Sequence, residues 1–247
     1  MTEPRPLASS VPLPDRAPDR SPAASAPFLE VRQLSTRGRP AIDLQAQRGE
    51  CICILGKSGS GKSVLLRLVA DLDPGEGTVL LDGIDRNAAS GPAWRRQVIY
   101  QAAEPAWWGP TAAEHFPDDM REVLAGWLAD VGLPDDILQA DIARLSTGER
   151  QRLALLRSLA RKPAVLLLDE PTASLDQATT LAVEALLGRQ LAAGLAVLMV
   201  THSVEQAQRI GHRRFDMVEG RLALQQQGQG QGQEQEQGPS ESRVNAA

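Results

Sequence analysis

Eight consecutive residues, Gly56-Lys57-Ser58-Gly59-Ser60-Gly61-Lys62-Ser63, match the spacing G-x-x-x-x-G-K-S, and each residue type in the run suits one task in holding phosphate. Glycines 56, 59 and 61 admit the backbone torsions that turn successive N–H groups inward on an anion. A helix starting here would add roughly half a positive charge to the same spot. The Lys62 ammonium brings a full charge to bridge β- and γ-phosphates, and the Ser63 hydroxyl suits magnesium. Further on, Val165-Leu-Leu-Leu-Asp169-Glu170 ends an apolar run in two carboxylates. Such charges are costly when buried without a cation. Asp169 suits the hydration shell of magnesium, and Glu170 suits the polarising of water for attack on a γ-phosphate. The chemistry expected is phosphoryl transfer to water from a magnesium-bound nucleoside triphosphate.

Those groups need a frame. Glu50–Leu55 is a short apolar run that reads as a buried strand, and Lys62–Leu72 continues with helical spacing, so the phosphate turn joins a strand to a helix. Further strands are expected at Thr78–Asp82, Gln97–Tyr100, Val165–Asp169 and Ala196–Thr201, with a closing hairpin of Asp216–Val218 and Arg221–Leu224 around Glu219-Gly220. Strands alternating with helices argue an α/β core. Met120, Val123, Leu124, Trp127, Leu128 and Val131 recur at the spacing of one amphipathic helix, which places a helical subdomain over about residues 104–160.

Composition bounds the rest. The 247 residues suit one large domain or two modest lobes. Seven prolines crowd residues 1–27 and Gln, Gly and Glu alternate over 225–238, so disordered arms are expected at 1–27 and 225–247 around a folded unit at 28–224. The chain carries −5 overall and −3 on that unit, which lacks the positive field of a nucleic-acid binder. The longest apolar stretch, Leu191–Val200, is too short to cross a bilayer, and the first residues lack the pattern of a signal peptide; a cytoplasmic chain is expected. Cys51 and Cys53, two apart on a strand, read as reduced core residues.

One more motif decides the family resemblance. Leu145-Ser-Thr-Gly-Glu-Arg-Gln-Arg152 precedes a leucine-rich helix and resembles the signature of ABC ATPases; by its residue types alone it is a capping box, Ser146 with Glu149 three residues on. With the phosphate turn, Asp169-Glu170, Ser174-Leu175-Asp176 and Val200-Thr201-His202 in order, the run resembles an ABC nucleotide-binding domain over nearly all of residues 28–224. The resemblance implies a P-loop NTPase fold with a mainly parallel core sheet, an antiparallel β subdomain and a small helical subdomain. It also implies a head-to-tail homodimer with ATP and Mg2+ between the Gly56–Ser63 turn of one protomer and Ser146 and Gly148 of the other. His202 would contact the γ-phosphate and orient the water held by Glu170, and Asp176 would link the two sites. An integral-membrane permease on a separate chain is the implied partner, with the ATPase on the cytoplasmic face of the membrane. Trp-Trp-Gly-Pro-Thr and the stretch from Leu133 to Arg152 narrow the resemblance to small subunits of the iron-exporter type, implying iron or another metal ion as cargo.

Three departures stand against that pattern. A gap-free match puts Ala103 where the family has a magnesium-contacting glutamine; Gln101, two residues earlier on the same strand face, substitutes only if the chain shifts locally. Thr147 replaces the second signature glycine. Ser35–Arg39 holds no aromatic where the family stacks adenine, leaving Arg37 as a candidate plate. Slow turnover, or an ATP-gated interaction module without turnover, is the alternative these departures raise; a soluble, non-transport ABC ATPase is another. Trp107 and Trp108 have two readings, core residues or anchors of a groove for a permease helix.

Overall fold

The computed structural model describes residues 26–225. The arms expected at 1–27 and 225–247 lie outside it, apart from residues 26, 27 and 225.

In chain order the elements are strands β1 (Leu29–Ser35), β2 (Ile42–Ala46) and β3 (Cys51–Leu55), helix α1 (Lys62–Val69), strands β4 (Glu76–Leu81) and β5 (Ile84–Asp85), helix α2 (Gly91–Gln97), strand β6 (Val98–Gln101), and helices α3 (Arg121–Asp130) and α4 (Thr147–Ala160). Strand β7 (Val165–Asp169), helix α5 (Gln177–Ala192), strand β8 (Ala196–Val200), helix α6 (Val204–Ile210) and the hairpin β9 (Arg213–Val218) and β10 (Arg221–Leu224) complete the fold.

Two sheets result. The larger runs β10-β9-β3-β8-β7-β6, parallel from β9 to β6 with β10 antiparallel at one edge; the smaller, β2-β1-β4-β5, is antiparallel throughout. Strands β3, β7 and β8 are buried at every position, which is why they read as continuous apolar runs rather than alternating ones. Their alternate residues feed two cores. Cys51, Cys53, Leu166, Leu168, Val197 and Met199 pack on the side of α3, α4 and α5. Ile52, Ile54, Leu167 and Leu198 pack with α1 and the antiparallel sheet. The carboxyl ends of β3 and β7 therefore emerge side by side with only β8 between them, and phosphate chemistry belongs at such an edge.

The structure adjusts several expected boundaries. Helix α1 stops at Val69 rather than Leu72, because Asp71 takes φ +59° and side chains collect the freed carbonyls. Arg86 donates to Leu68 O at 2.6 Å, the Trp94 indole to Val69 O at 3.0 Å and Arg95 to Asp71 O at 2.9 Å. The expected helix of Met120–Val131 is α3 with those two residues flanking it; Met120, Leu124, Leu128 and Val131 are buried, whereas Val123 faces solvent. Between α3 and α4 the subdomain is built of short 3₁₀ turns. The strands β1, β2 and β5, for which the spacing gave no expectation, join β4 in the antiparallel sheet that the resemblance implied. Cys51 and Cys53 are free and buried.

Candidate functional site

The phosphate turn leaves β3 at Gly56 and enters α1 at Gly61. Gly56 has φ +142°, and a Cβ there would sit 2.4 Å from Met217 O; Gly61 has φ +111°, and its Cβ would meet the Arg39 guanidinium at 2.1 Å. Only glycine fits either place. No side chain caps α1, so its first N–H groups remain available to a ligand, and the buried Ser60 Oγ has no hydrogen-bond partner. Lys62 is buried and folds back over the turn, its Nζ donating to Gly56 O at 2.7 Å and Lys57 O at 3.0 Å. Lys57, Ser58 and Gly59 line the exposed outer part of the turn, and Ser63 is exposed one residue into α1.

At the end of β7, Asp169 is 6% exposed and accepts a hydrogen bond from the Tyr100 hydroxyl at 3.0 Å. Burial, with Asp169 beside it, raises the Tyr100 phenol well above its ordinary pKa, which keeps it a donor. The next residue, Glu170, turns out of the sheet at φ +49°, a conformation uncommon for a non-glycine residue. His202 N donates to Glu170 Oε2 at 3.3 Å, while His202 Nε2 stands 2.9 Å from Glu170 Oε1 without hydrogen-bond alignment. Burial raises the Glu170 pKa above the usual carboxylate range; His202 and the Lys62 charge pull the other way. The carboxylate is thus held close to a histidine, with one buried oxygen short of a hydrogen bond.

A divalent cation fits this set. Asp169 is a nearly buried carboxylate bonded to a neutral phenol, a position that favours a bound positive charge. Among the described residues no three His, Cys, Asp or Glu side chains cluster as a metal cage. Magnesium needs none, since it takes one or two protein oxygens and completes its shell with phosphate and water.

The remaining sequence candidates lie elsewhere. Ser146 caps α4 in a full capping box: its N–H and hydroxyl donate to Glu149 Oε2 at 2.8 and 2.7 Å, and Glu149 N donates to Ser146 Oγ at 3.2 Å. A Cβ on Gly148 would come within 3.2 Å of Leu175 Cδ2. Ser146 is thus bonded within the start of α4, and Gly148 packs against residues 174–175. Asp176 caps α5, accepting from Thr179 N at 2.8 Å, and that bond holds its pKa below the usual range. Gln101 does not reach the Asp169 side. It is buried on the opposite sheet face, its Oε1 accepting from Ser158 Oγ on α4 at 3.4 Å and its Nε2 without a partner; the local shift that would redirect it does not occur.

Three site residues escaped the sequence reading because they reach it from elements distant in the chain. Arg39 touches the phosphate turn, donating to Ser60 O at 3.1 Å. Gln151, buried in α4, donates to Glu170 O at 2.8 Å and accepts from Ser174 N at 3.3 Å, so it ties the signature helix to the carboxylate's own backbone. Tyr100 is the third.

The tryptophan pair divides its two readings. Trp107 packs on the core, whereas Trp108 is 68% exposed. His115 lies against both rings and accepts from Trp108 N and Gly109 N through Nε2, each at 3.1 Å. Arg157 stacks on both indoles, and its pKa falls to about 10, first through burial and then through Arg161. Beside them a groove of about 580 Å³ runs along the β6 edge, with Leu72, Arg95, Trp108, Arg157 and Arg161 on its walls. Among the described residues no helix is long and apolar enough to cross a membrane.

Comparison with known proteins places this geometry. The family model for "ABC transporter" matches residues 40–173. The chain is 38% identical over 226 residues to the "Aliphatic sulfonates import ATP-binding protein SsuB" of Cupriavidus necator, covering 83% of this chain and 73% of that one. It is also 38% identical over 197 residues to the "Probable iron export ATP-binding protein FetA" of Escherichia coli K12, covering 74% and 88%. Relatives differ in length, and the chain spans 63% of another at the same identity. In fold it is similar to the solved "Structure of ATP binding subunit of ABC transporter", with TM-score 0.73, 24% identity, and 81% and 90% of the two chains covered. The chain belongs to the ATP-binding subunits of the ABC transporter family.

Proposed function

We propose that this chain binds and hydrolyses MgATP between two copies of itself and drives a permease carried on a separate chain. The observation that carries the reading is the Glu170–His202 pair beside Asp169, across β8 from an uncapped phosphate turn. In this reading Lys62 exchanges its two carbonyl bonds for phosphate oxygens, and the Ser60 hydroxyl and the α1 N–H groups gain the partners they lack. Magnesium, held by Ser63 and Asp169, would neutralise charge on the β- and γ-phosphates. Glu170, whose affinity for a proton burial raises, takes a proton from the attacking water; His202 N–H holds its carboxylate, and the imidazole faces the γ-phosphate. Ser146 and Gly148 are exposed or half-exposed, as donors to the partner protomer's nucleotide must be, and Asp176 stands at the same rim.

The groove beside Trp108 supports the permease as partner, an arginine-walled cleft with an exposed indole. Docking there would place the chain on the cytoplasmic face of the membrane. Iron or another metal ion as cargo has support in the name of FetA, while SsuB is named for sulfonate import; cargo contact is assigned to the permease.

The test is MgATP hydrolysis by the chain and by Glu170→Gln, with dimerisation followed in the same samples. The expected result is a fall in turnover of about 100- to 1,000-fold with stronger ATP-dependent dimerisation. One observation favours a second reading, an ATP-gated clamp with little turnover: Gln101 faces away from the metal side and Ala103 carries no donor to replace it. ATP-driven dimerisation with no turnover in either protein, even beside the permease, would select it.

A further inference from the structure

Tyr100 stands on β6 directly across from Leu167 of β7, so Asp169, two residues beyond Leu167, is its diagonal neighbour on the same sheet face. That separation is within reach of a long aromatic side chain, and the hydroxyl closes it with a 3.0 Å hydrogen bond to Asp169 Oδ2. The half-buried ring packs against the core that includes Leu167 and Leu198. A carboxylate rotates readily about its last bond, and a donor on a rigid ring removes that freedom. It also occupies one oxygen and leaves the other available to a cation's hydration shell.

We propose that Tyr100 is a positioning residue for magnesium: its hydroxyl fixes the Asp169 carboxylate in the orientation that receives the metal of MgATP. The inference rests on the ATPase reading above and adds to it a residue that acts through Asp169 rather than on nucleotide. A neutral donor is suited to this task. A lysine or arginine at the same place would neutralise Asp169 and compete with the metal, whereas a phenol orients the carboxylate and leaves its charge in place.

Tyr100→Phe removes one oxygen atom and keeps the ring. The measurement is binding of a non-hydrolysable ATP analogue to the full chain by calorimetry, in excess Mg2+ and in excess EDTA, with the thermal transition of each protein followed alongside. In the wild type, Mg2+ strengthens binding. In Tyr100→Phe that strengthening falls about tenfold, the order expected when an outer-shell partner of a metal ligand is lost, while the EDTA dissociation constant stays within about twofold of wild type. An unchanged Mg2+ effect overturns the proposal. Equal weakening with and without Mg2+, together with a lowered thermal transition, also overturns it, by assigning Tyr100 to packing. Absence of any Mg2+ effect in the wild type would overturn the ATPase reading itself, which separates the two failures.

Discussion

Two helix starts in this molecule carry the same expected ligand and are finished in opposite ways. The start of α1 has glycine at its cap, no side-chain bond to its N–H groups, a buried serine hydroxyl with no partner and a lysine folded over its own loop. The start of α4 is closed on itself by three hydrogen bonds between Ser146 and Glu149. An open helix start is less stable by itself and gains when an anion arrives. A closed one is stable alone and must surrender a bond to engage a ligand. In the dimer proposed above, the comparison teaches which half of the composite site would form on nucleotide binding and which half would stand ready for the partner protomer.

The largest effect that would break this contrast is on the open side. Lys62→Ala removes the one full charge at the turn, and loss of a charge-assisted contact to phosphate of about 2–3 kcal/mol weakens ATP binding roughly 30- to 150-fold. Calorimetry on the isolated chain checks it. Retained affinity would mean that the backbone cradle alone holds the nucleotide and that the ammonium, bonded to Gly56 O and Lys57 O, serves the loop instead.

A smaller effect follows from the carboxylate at the centre. Burial raises the Glu170 pKa in the folded chain, so the folded state binds a proton more tightly than the unfolded one. Its ionised form therefore costs stability above the folded pKa, and the cost fades as the pH falls below it. Glu170→Gln should melt higher than wild type at neutral pH. The difference should shrink as the pH falls through the raised value. An equal difference at all pH values in thermal scans would show that the gain has another origin.

How much of this was legible in the sequence follows from where the bonds run. The phosphate turn is contiguous, so its eight residues announced both the strand before it and the helix after it. Asp169 and Glu170 were legible because β7 is buried on both faces and ends abruptly in charge. Tyr100, Arg39 and Gln151 were not, since each meets the site only after β6, the β1–β2 turn and α4 are folded around it. Gln101 shows the converse error. Alternation along a strand gives the face a residue shares with its neighbours but not which face of the finished sheet that is, and here that face looks to α4. The strands β1 and β2 alternate buried and exposed residues, a pattern present in the sequence but short and broken by Gln33, whose φ of +50° accompanies a register shift.

The smallest effect tests the closed side. The Ser146 hydroxyl proton points at the Glu149 carboxylate, 2.7 Å away, so in the proposed dimer a γ-phosphate arriving from the partner protomer would compete for it and would also approach a negative charge. Glutamine at the third helical position still serves a capping box. Glu149→Gln therefore keeps the helix start, loosens the hold on Ser146 and removes the repulsion. ATP-driven dimerisation should tighten by roughly two- to fivefold, the worth of an exposed charge interaction, with the thermal transition little changed. The bonds from Ser146 hold the Glu149 pKa below the ordinary range. The advantage of the variant should accordingly persist at mildly acidic pH and vanish only as the pH falls through that lowered value, where wild-type Glu149 is itself protonated. Sedimentation of both proteins with ATP across that range decides it. Weaker dimerisation in Glu149→Gln would mean that the capped, charged form is the one the partner's nucleotide recognises, and the two helix starts would then differ less than their hydrogen bonds indicate.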